Sequence, residues 1–485
     1  MGAIRRNLFG REIITHDEVE ITDENICSVL EKAMRVHSKN RAAIQYLWNY
    51  YKGDQPILYR KKDVRPEICN RVVENRANEI VSFKVGYLCG EPIQYICRNG
   101  NESSSKAISE LNEMMHSEGK AAQDKRIVEW QSVCGTAYRL ALPDTRGGED
   151  DAPFELYTLD PRDSYVVYDN GIGNKAMLGV KYYVTDDNDT IYSVYSPNWY
   201  WKIKNDAIVE SRPHSLGMIP IIEYPANTTR LGAFETVIDL LDSINTVASN
   251  RLDGVEQFVQ AFVKFINCDI SADDFKELKD LGAIKVKSLD GQQVDVDVVT
   301  NELNQMQTQT LVDHLYQTVL TICGMPNMSN GSTSDSSNNG AVILKNGWQG
   351  AETRAKDAEG MFTESEMQTL RLILRIIKDT SGLSDELYAL RLKDVEPHFT
   401  RRNYENIQSK AQVLTQMLSQ PKIHPRLAFA HCGMFTDPED AYRVSEQHSQ
   451  EQQAKMMANM SSEPDTTETD TEVSDPNENE EETTE

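Results

Sequence analysis

Several residue groups in this 485-residue chain have types and spacings that belong to known chemistries. Gly171-Ile172-Gly173-Asn174-Lys175-Ala176 fits the loose glycine pattern of a dinucleotide loop. Such a loop needs a helix after it, so that backbone N–H groups point at a pyrophosphate. A strand-like run, Leu178–Val184, follows instead, and the segment reads as a β-hairpin turn. Asp186-Asp187-Asn188-Asp189 has the composition of a calcium loop but lacks its glycine and its distal glutamate, so it reads as a solvated turn. His424, His431 and Cys432 are metal-ligand types with no second pair nearby, which favours a helical histidine and a buried thiol over a metal centre. Gly119-Lys120 lacks the upstream glycine and the following Ser or Thr of a P-loop, and neither H-E-x-x-H nor G-x-S-x-G occurs. Nuclease chemistry needs clustered carboxylates to hold metal ions, and none is apparent outside the C-terminal tail. These observations predict a chain that is not an enzyme and has no metal or cofactor.

The elements that would position any site are of two kinds. Helical spacing of apolar residues marks 23–52, 70–83, 103–117 and 121–132. Gly86, Gly90 and Pro92 then predict an extended stretch over 85–97. From 136 to 224 the pattern becomes short aromatic or β-branched runs between Gly, Asn, Asp and Pro turns, which predicts a β-rich subdomain. A long apolar stripe from Phe234 through Leu241, Val255 and Phe262 to Ile266 then predicts one helix of 33 residues, about 50 Å long. A compact insert over 267–300 follows, with a helix over 272–281 and strands over 285–288 and 294–299 around the Asp290-Gly291 turn. A second helix over 301–323 completes a helical hairpin with a folded tip. The stretch 327–340, NMSNGSTSDSSNNG, is predicted to be a mobile polar loop. Helices near 341–380, 401–420, 424–434 and 437–458 come next.

Composition narrows the classes further. Net charge is −26, and the tail 461–485 holds eleven acids and no Lys or Arg, so the remainder is still acidic. That balance argues against a protein gripping nucleic acid through a dominant basic face, though not against one that lets it slide past. The tail is predicted to be disordered. Eight scattered cysteines without a C-x-x-C pair suggest reduced thiols. No run of eighteen apolar residues predicts a membrane span, and the first twenty residues lack the apolar core of a secretory signal.

Four segments carry a family resemblance over about residues 40 to 450. They are Tyr46–Ile57 (YLWNYYKGDQPI), Asn75–Tyr95 (NRANEIVSFKVGYLCGEPIQY), His214–Asn227 (HSLGMIPIIEYPAN) and Asn339–Lys345 (NGAVILK). Together they resemble the portal proteins of tailed bacteriophages, in the siphovirus branch common in Gram-positive hosts. Asn339 departs from the family's usual serine, and His424-Pro425-Arg426 replaces an expected Ser and Thr, while FTDPED at 435–440 keeps the acidic stretch.

The resemblance implies an α+β, mainly helical portal fold. Its parts would be a β-rich wing (1–233 with the kinked helix 341–398), stem helices 234–266 and 301–325, an α/β clip (267–300), a tunnel loop (326–340) and a helical crown (399–460). It also implies a self-assembled twelve-subunit ring in the virion, at the portal vertex of the capsid, put together in the host cytoplasm. Double-stranded DNA would pass without sequence specificity during packaging and ejection. The expected partners are the terminase motor, the head-completion adaptor, and the scaffold and major capsid proteins, with no membrane. Another head or tail adaptor, and then a packaging nuclease, are the alternative readings.

Residue roles follow on the same footing. Asn327, Ser329, Asn330, Ser332, Ser334, Ser336 and Asn338 would face DNA from the tunnel loop. Lys345, the only Lys or Arg between His314 and Arg354, is a candidate phosphate contact. Asp239, Asp242, Asp253 and Glu256 lie on the polar face of the first stem helix and are expected to line the bore, where phosphate repulsion would keep DNA from sticking. Lys285, Lys287 and Asp290 in the clip are expected to meet the motor or the adaptor.

Overall fold

Alternation of apolar and polar residues in 164–213 builds a sheet that is covered on one face. In a computed structural model, the described residues are 8–17, 20–63, 65–98, 101–144, 152–259, 262–266, 268–269, 287–288, 295–299, 305–327, 347–401, 407–435 and 438–460. They fall in two compact units, Met1–Asn406 and Ile407–Glu485.

The six-stranded sheet takes β1 (Ile14–His16), β5 (Ser164–Asp169), β6 (Ala176–Val184), β7 (Thr190–Tyr195), β8 (Trp199–Lys204) and β9 (Ala207–Pro213) in that order. β1 joins parallel to β5, and the other pairings are antiparallel. Tyr165, Val167, Leu178, Val180, Val194 and Trp201 point inward against Ile26, Val29, Leu30 and Ala33 of helix α1 (Ile26–Tyr51). Every residue of β9 is exposed, so it lacks the buried alternate positions by which a strand is recognised in sequence, and it was not expected.

A second sheet, β10 (Ile221–Pro225), β3 (Thr136–Pro143) and β4 (Phe154–Leu159), is antiparallel throughout. It shares a core with α3 (Glu102–Ser117), α4 (Lys120–Cys134) and α7 (Trp348–Asp379). The turn from α4 into β3 is made by Gly135 at φ +80°, where a Cβ would sit 2.0 Å from the Arg230 carbonyl oxygen. Only glycine fits there.

Several boundaries correct the sequence reading. The region expected as extended over 85–97 is helical through Cys89 in α2 (Arg76–Cys89), and only β2 (Gln94–Cys97) is a strand, paired with β15 (Val395–His398). The helix expected over 234–266 is α5 (Ile238–Val259), and Phe262–Ile266 form strand β11 instead. Phe262, Val263 and Ile266 satisfy a helical stripe, but the run is aromatic and β-branched and finds a partner in β14 (Asp295–Val299). The two strands of the insert do not pair with each other around Asp290-Gly291. β13 (Lys287–Ser288) pairs with β12 (Cys268–Asp269), and β14 pairs with β11. The second long helix is α6 (Gln305–Cys323). The helix expected over 272–281 lies outside the described residues.

In the second unit, α9 (Ile407–Leu418), α10 (Pro425–Cys432) and α11 (Pro438–Met460) stand near their expected places, after the short α8 (Asp385–Ala389) of the first. No helix among the described residues is long and apolar enough to cross a membrane.

Candidate functional site

The long helices α5 and α6 form the candidate site, and three sets of contacts position them. The first is apolar. Ile238, Leu241 and Ile244 of α5 and Val319, Leu320 and Cys323 of α6 are buried in one cluster with Ile44, Leu47 and Tyr50 of α1 and Ala77, Ile80 and Val81 of α2. These ends of the hairpin are thus rooted in the body. Farther along, Arg251 donates to Gln309 at 2.7 Å across the helix pair. At the far end the antiparallel ladder of β11 and β14 ties the two chains together.

The second set is polar. Asp242, Asn245, Ser249, Asp253 and Glu256 recur every three or four residues and make one stripe along α5. The segment 55–74 runs beside that stripe. The backbone N–H groups of Asn70, Val72 and Glu74 donate to Asp253 (2.7 Å), Ser249 (2.9 Å) and Asn245 (2.8 Å). Two residues of extended chain rise roughly 6.6 Å and four residues of helix about 6 Å, so alternate amides meet successive turns. Asp253, 4% exposed, is also paired with Lys62 and with Arg60 at 3.4 Å. Burial pushes its carboxyl up, but Lys62 and the Asn70 donors outweigh that and hold it below the usual carboxylate range. Tyr50 donates to Asp242 at 2.9 Å, and Asn70 donates to Glu256 at 2.8 Å.

The stripe shows what two of the four acids expected along the bore meet within the chain. Asp242 and Asp253 are engaged by the N-terminal body, through Tyr50 and through Asn70 and Lys62, whereas Glu256 accepts from Asn70 at the surface and stays exposed. A polar helix face reads the same in sequence whether water or another segment covers it. Asp239, like Glu256, is exposed. α6 presents a different surface. Gln307, Gln309, Thr310, Asp313, Gln317 and Thr321 are exposed, and no Lys or Arg occurs from 288 to 344.

The third set holds α7, which follows the hairpin. Glu366 of α7 is fully buried and accepts from Arg139 (2.8 Å), Tyr224 (2.6 Å) and Tyr95 (2.5 Å), with Lys120 at 3.1 Å. Asp124 closes the network through Lys120 (2.5 Å) and Arg139. Burial pushes the Glu366 carboxyl up, yet Lys120 and Arg139, with the two tyrosines, hold it down to about 2. Two cations and two carboxylates make the cluster neutral, which is how buried charge is tolerated. Lys120 and Asp124 are readable as a helical i, i+4 pair. Arg139 and Glu366, 227 residues apart, are not.

The remaining expected residues divide as follows. Gly171–Lys175 is a hairpin turn, with Asp169 accepting from the N–H groups of Gly171 (3.2 Å) and Lys175 (2.8 Å). Asp186–Asp189 joins β6 to β7. His424 caps α10 by accepting from the Arg426 N–H, and Cys432 is buried. Among the described residues no cluster of His, Cys, Asp or Glu is placed to hold a metal ion. Lys287 lies in β13, paired in register with Asp269. Asn327 is the last described residue after α6. Ser329, Asn330, Ser332, Ser334, Ser336, Asn338, Lys345, Lys285 and Asp290 lie outside the described residues.

An antiparallel helical hairpin, rooted in an α+β body and capped by a small β ladder, is thus the central feature of the chain. Residues 31–461 match the family described as phage portal protein, SPP1 Gp6-like, and the chain belongs to that family. Among curated proteins none matches. Two solved structures are similar at 12% identity. One is a chain from the neck of an empty GTA particle computed with C6 symmetry, with 74% of this chain and 90% of that chain covered and a TM-score of 0.40. The other is from the virion of a native gene transfer agent particle, with 81% and 93% covered and a TM-score of 0.41.

Proposed function

We propose that the chain is a non-enzymatic ring subunit of a phage particle, set at one capsid vertex, through which double-stranded DNA enters on packaging and leaves on ejection. The capped hairpin of α5 and α6, in a chain of the portal family, carries this reading. A ring needs heterologous contacts, in which one face of a subunit meets a different face of the next. Exposed Leu252 and Val255 on α5 and Met306, Leu311 and Ile322 on α6 offer apolar surface for such side-by-side packing.

In this reading the hairpin is the stem, and the strands from 262 to 299 belong to the clip, where Lys285, Lys287 and Asp290 meet the terminase motor and later the head-completion adaptor. Residues 407–460 are the crown. Since the segment 55–74 engages Asp253 and Tyr50 engages Asp242, the bore-facing surface is assigned mainly to the Gln- and Thr-rich face of α6, with the exposed Asp239 and Glu256 as the acids of α5 left for the wall. A wall free of Lys and Arg makes no lasting phosphate contact, so DNA slides instead of binding. The loop from Asn327 to Asn338 and Lys345 would then touch DNA at the narrowest point. ATP hydrolysis would come from the terminase.

Negative-stain imaging of the purified full-length chain tests the proposal. The expected result is rings of about a dozen subunits around a central hole. Monomers at every concentration, or closed assemblies without a hole, would overturn it.

A further inference from the structure

A cleft of about 470 Å³ opens where α2, α6 and α7 meet, beside the root of the hairpin. Its walls are largely apolar, with Phe83 and Ile322 among them, yet two cations, Lys84 and Arg354, line it together. Neither makes a hydrogen bond or an ion pair among the described residues. Lys84 is half-buried and Arg354 exposed; the well-covered cations Lys120, Arg139, Arg11, Arg230 and Arg401 of this unit each hold a carboxylate.

Nothing described in the cleft supplies the missing anion. Burial pushes the Cys323 thiol up to about 11, so it stays neutral beside Lys84. Asp357 also lines the cleft but pairs with neither cation. The Arg354 side chain is packed over Gly324, at φ +63°, where a Cβ would meet its Cδ at 2.2 Å. The stem of this exposed side chain thus rests at the end of α6, at the mouth of the cleft. Burial lowers the Lys84 ammonium, and Arg354 lowers it further, the repulsion expected of two like charges lining one cleft.

We propose that this cleft receives a carboxylate-bearing apolar segment of a second copy of the chain, whose acid pairs with Lys84 and Arg354 and completes the site between neighbouring subunits. Charge complementarity selects the occupant. The chain carries 76 acids against 50 Lys and Arg, so acids are abundant on any neighbouring copy, while the half-buried Lys84 ammonium, beside a second cation and without a counter-ion, is costly in the free subunit. The inference rests on the ring reading and assigns one of its contacts.

Zero-length carbodiimide coupling, which joins an ammonium to a touching carboxylate, tests it on assemblies made from mixed unlabelled and ¹⁵N-labelled full-length chain. The expected result is a Lys84–carboxylate peptide joining light to heavy copies and lost in Lys84→Arg. The double variant Lys84→Glu, Arg354→Glu should need about tenfold more protein to assemble. If that variant misfolds, Lys84→Met with Arg354→Met serves instead and should raise the assembly concentration in the same direction. Lys84 links only within one copy, for example to Asp335 or Asp357, or folded variants that assemble at the wild-type concentration, overturn the inference and leave the ring standing. A wild-type chain that never assembles removes the ring reading itself, and this contact with it.

Discussion

Replacing Glu366 with Gln keeps the shape of the side chain but leaves Lys120 and Arg139 facing Asp124 alone, a net positive charge in a buried site. Removing one member of a buried ion cluster typically costs about 3–5 kcal/mol. The acid–base argument gives a similar figure. A carboxyl held down to about 2, against an ordinary value of 4.5, is stabilised by roughly 3 kcal/mol at neutral pH. At roughly 2 cal/mol/K of unfolding entropy per residue, a unit the size of Met1–Asn406 loses about 1 °C of melting temperature per kcal/mol. Glu366→Gln should therefore melt about 3–5 °C below wild type at pH 7, as read by scanning calorimetry. The sign with pH follows from the depressed carboxyl. Its contribution is fully present above the unfolded value and fades as pH falls toward 2, so wild type and variant should converge in acid. Adding Lys120→Met restores neutrality, and the double variant should regain part of the loss. A single variant melting within about 1 °C of wild type at pH 7, or a double variant that only adds a further loss, would refute the charge-balance reasoning.

Two further outcomes are expected. Asp253→Ala removes the acceptor for the Asn70 amide and the partner of Lys62, so the segment 55–74 should loosen from α5; limited trypsin digestion should then cut at Arg60, Lys61 or Lys62 several-fold faster than in wild type, and an unchanged cleavage rate would count against the clasp. His37 is buried, hydrogen-bonded to the Arg162 carbonyl at 3.0 Å and stacked on Tyr165 at 4.4 Å, and burial lowers its ring to about 4. Its neutral form is the folded one, so stability present above pH 6.5 should fall by about 3 kcal/mol toward pH 4 as the unfolded chain takes up the proton; His37→Gln should flatten that part of the melting profile, and an unaltered slope would show the histidine to be uninvolved.

Much of the architecture was legible in the sequence because it is local. Amphipathic spacing places α1, α3, α4 and α6, and short aromatic and β-branched runs place β3 to β8 within a residue or two. The same local logic dismissed Gly171–Ala176 as a nucleotide loop, since a strand follows it. The four resembling segments pointed to the portal family, to which the chain belongs.

What sequence alone did not settle depends on partners distant in the chain. Phe262–Ile266 satisfies helix and strand periodicity equally, and only pairing with Asp295–Val299 decides between them. The acids of α5 form one stripe in any helical reading, but whether that stripe meets water, DNA or protein is decided by where residues 55–74 run. Glu366 and Arg139 carry no sequence mark of their meeting, because an ion pair across 227 residues is fixed by packing and not by spacing. Local periodicity records which face of an element is apolar; only the folded chain decides what each polar face meets.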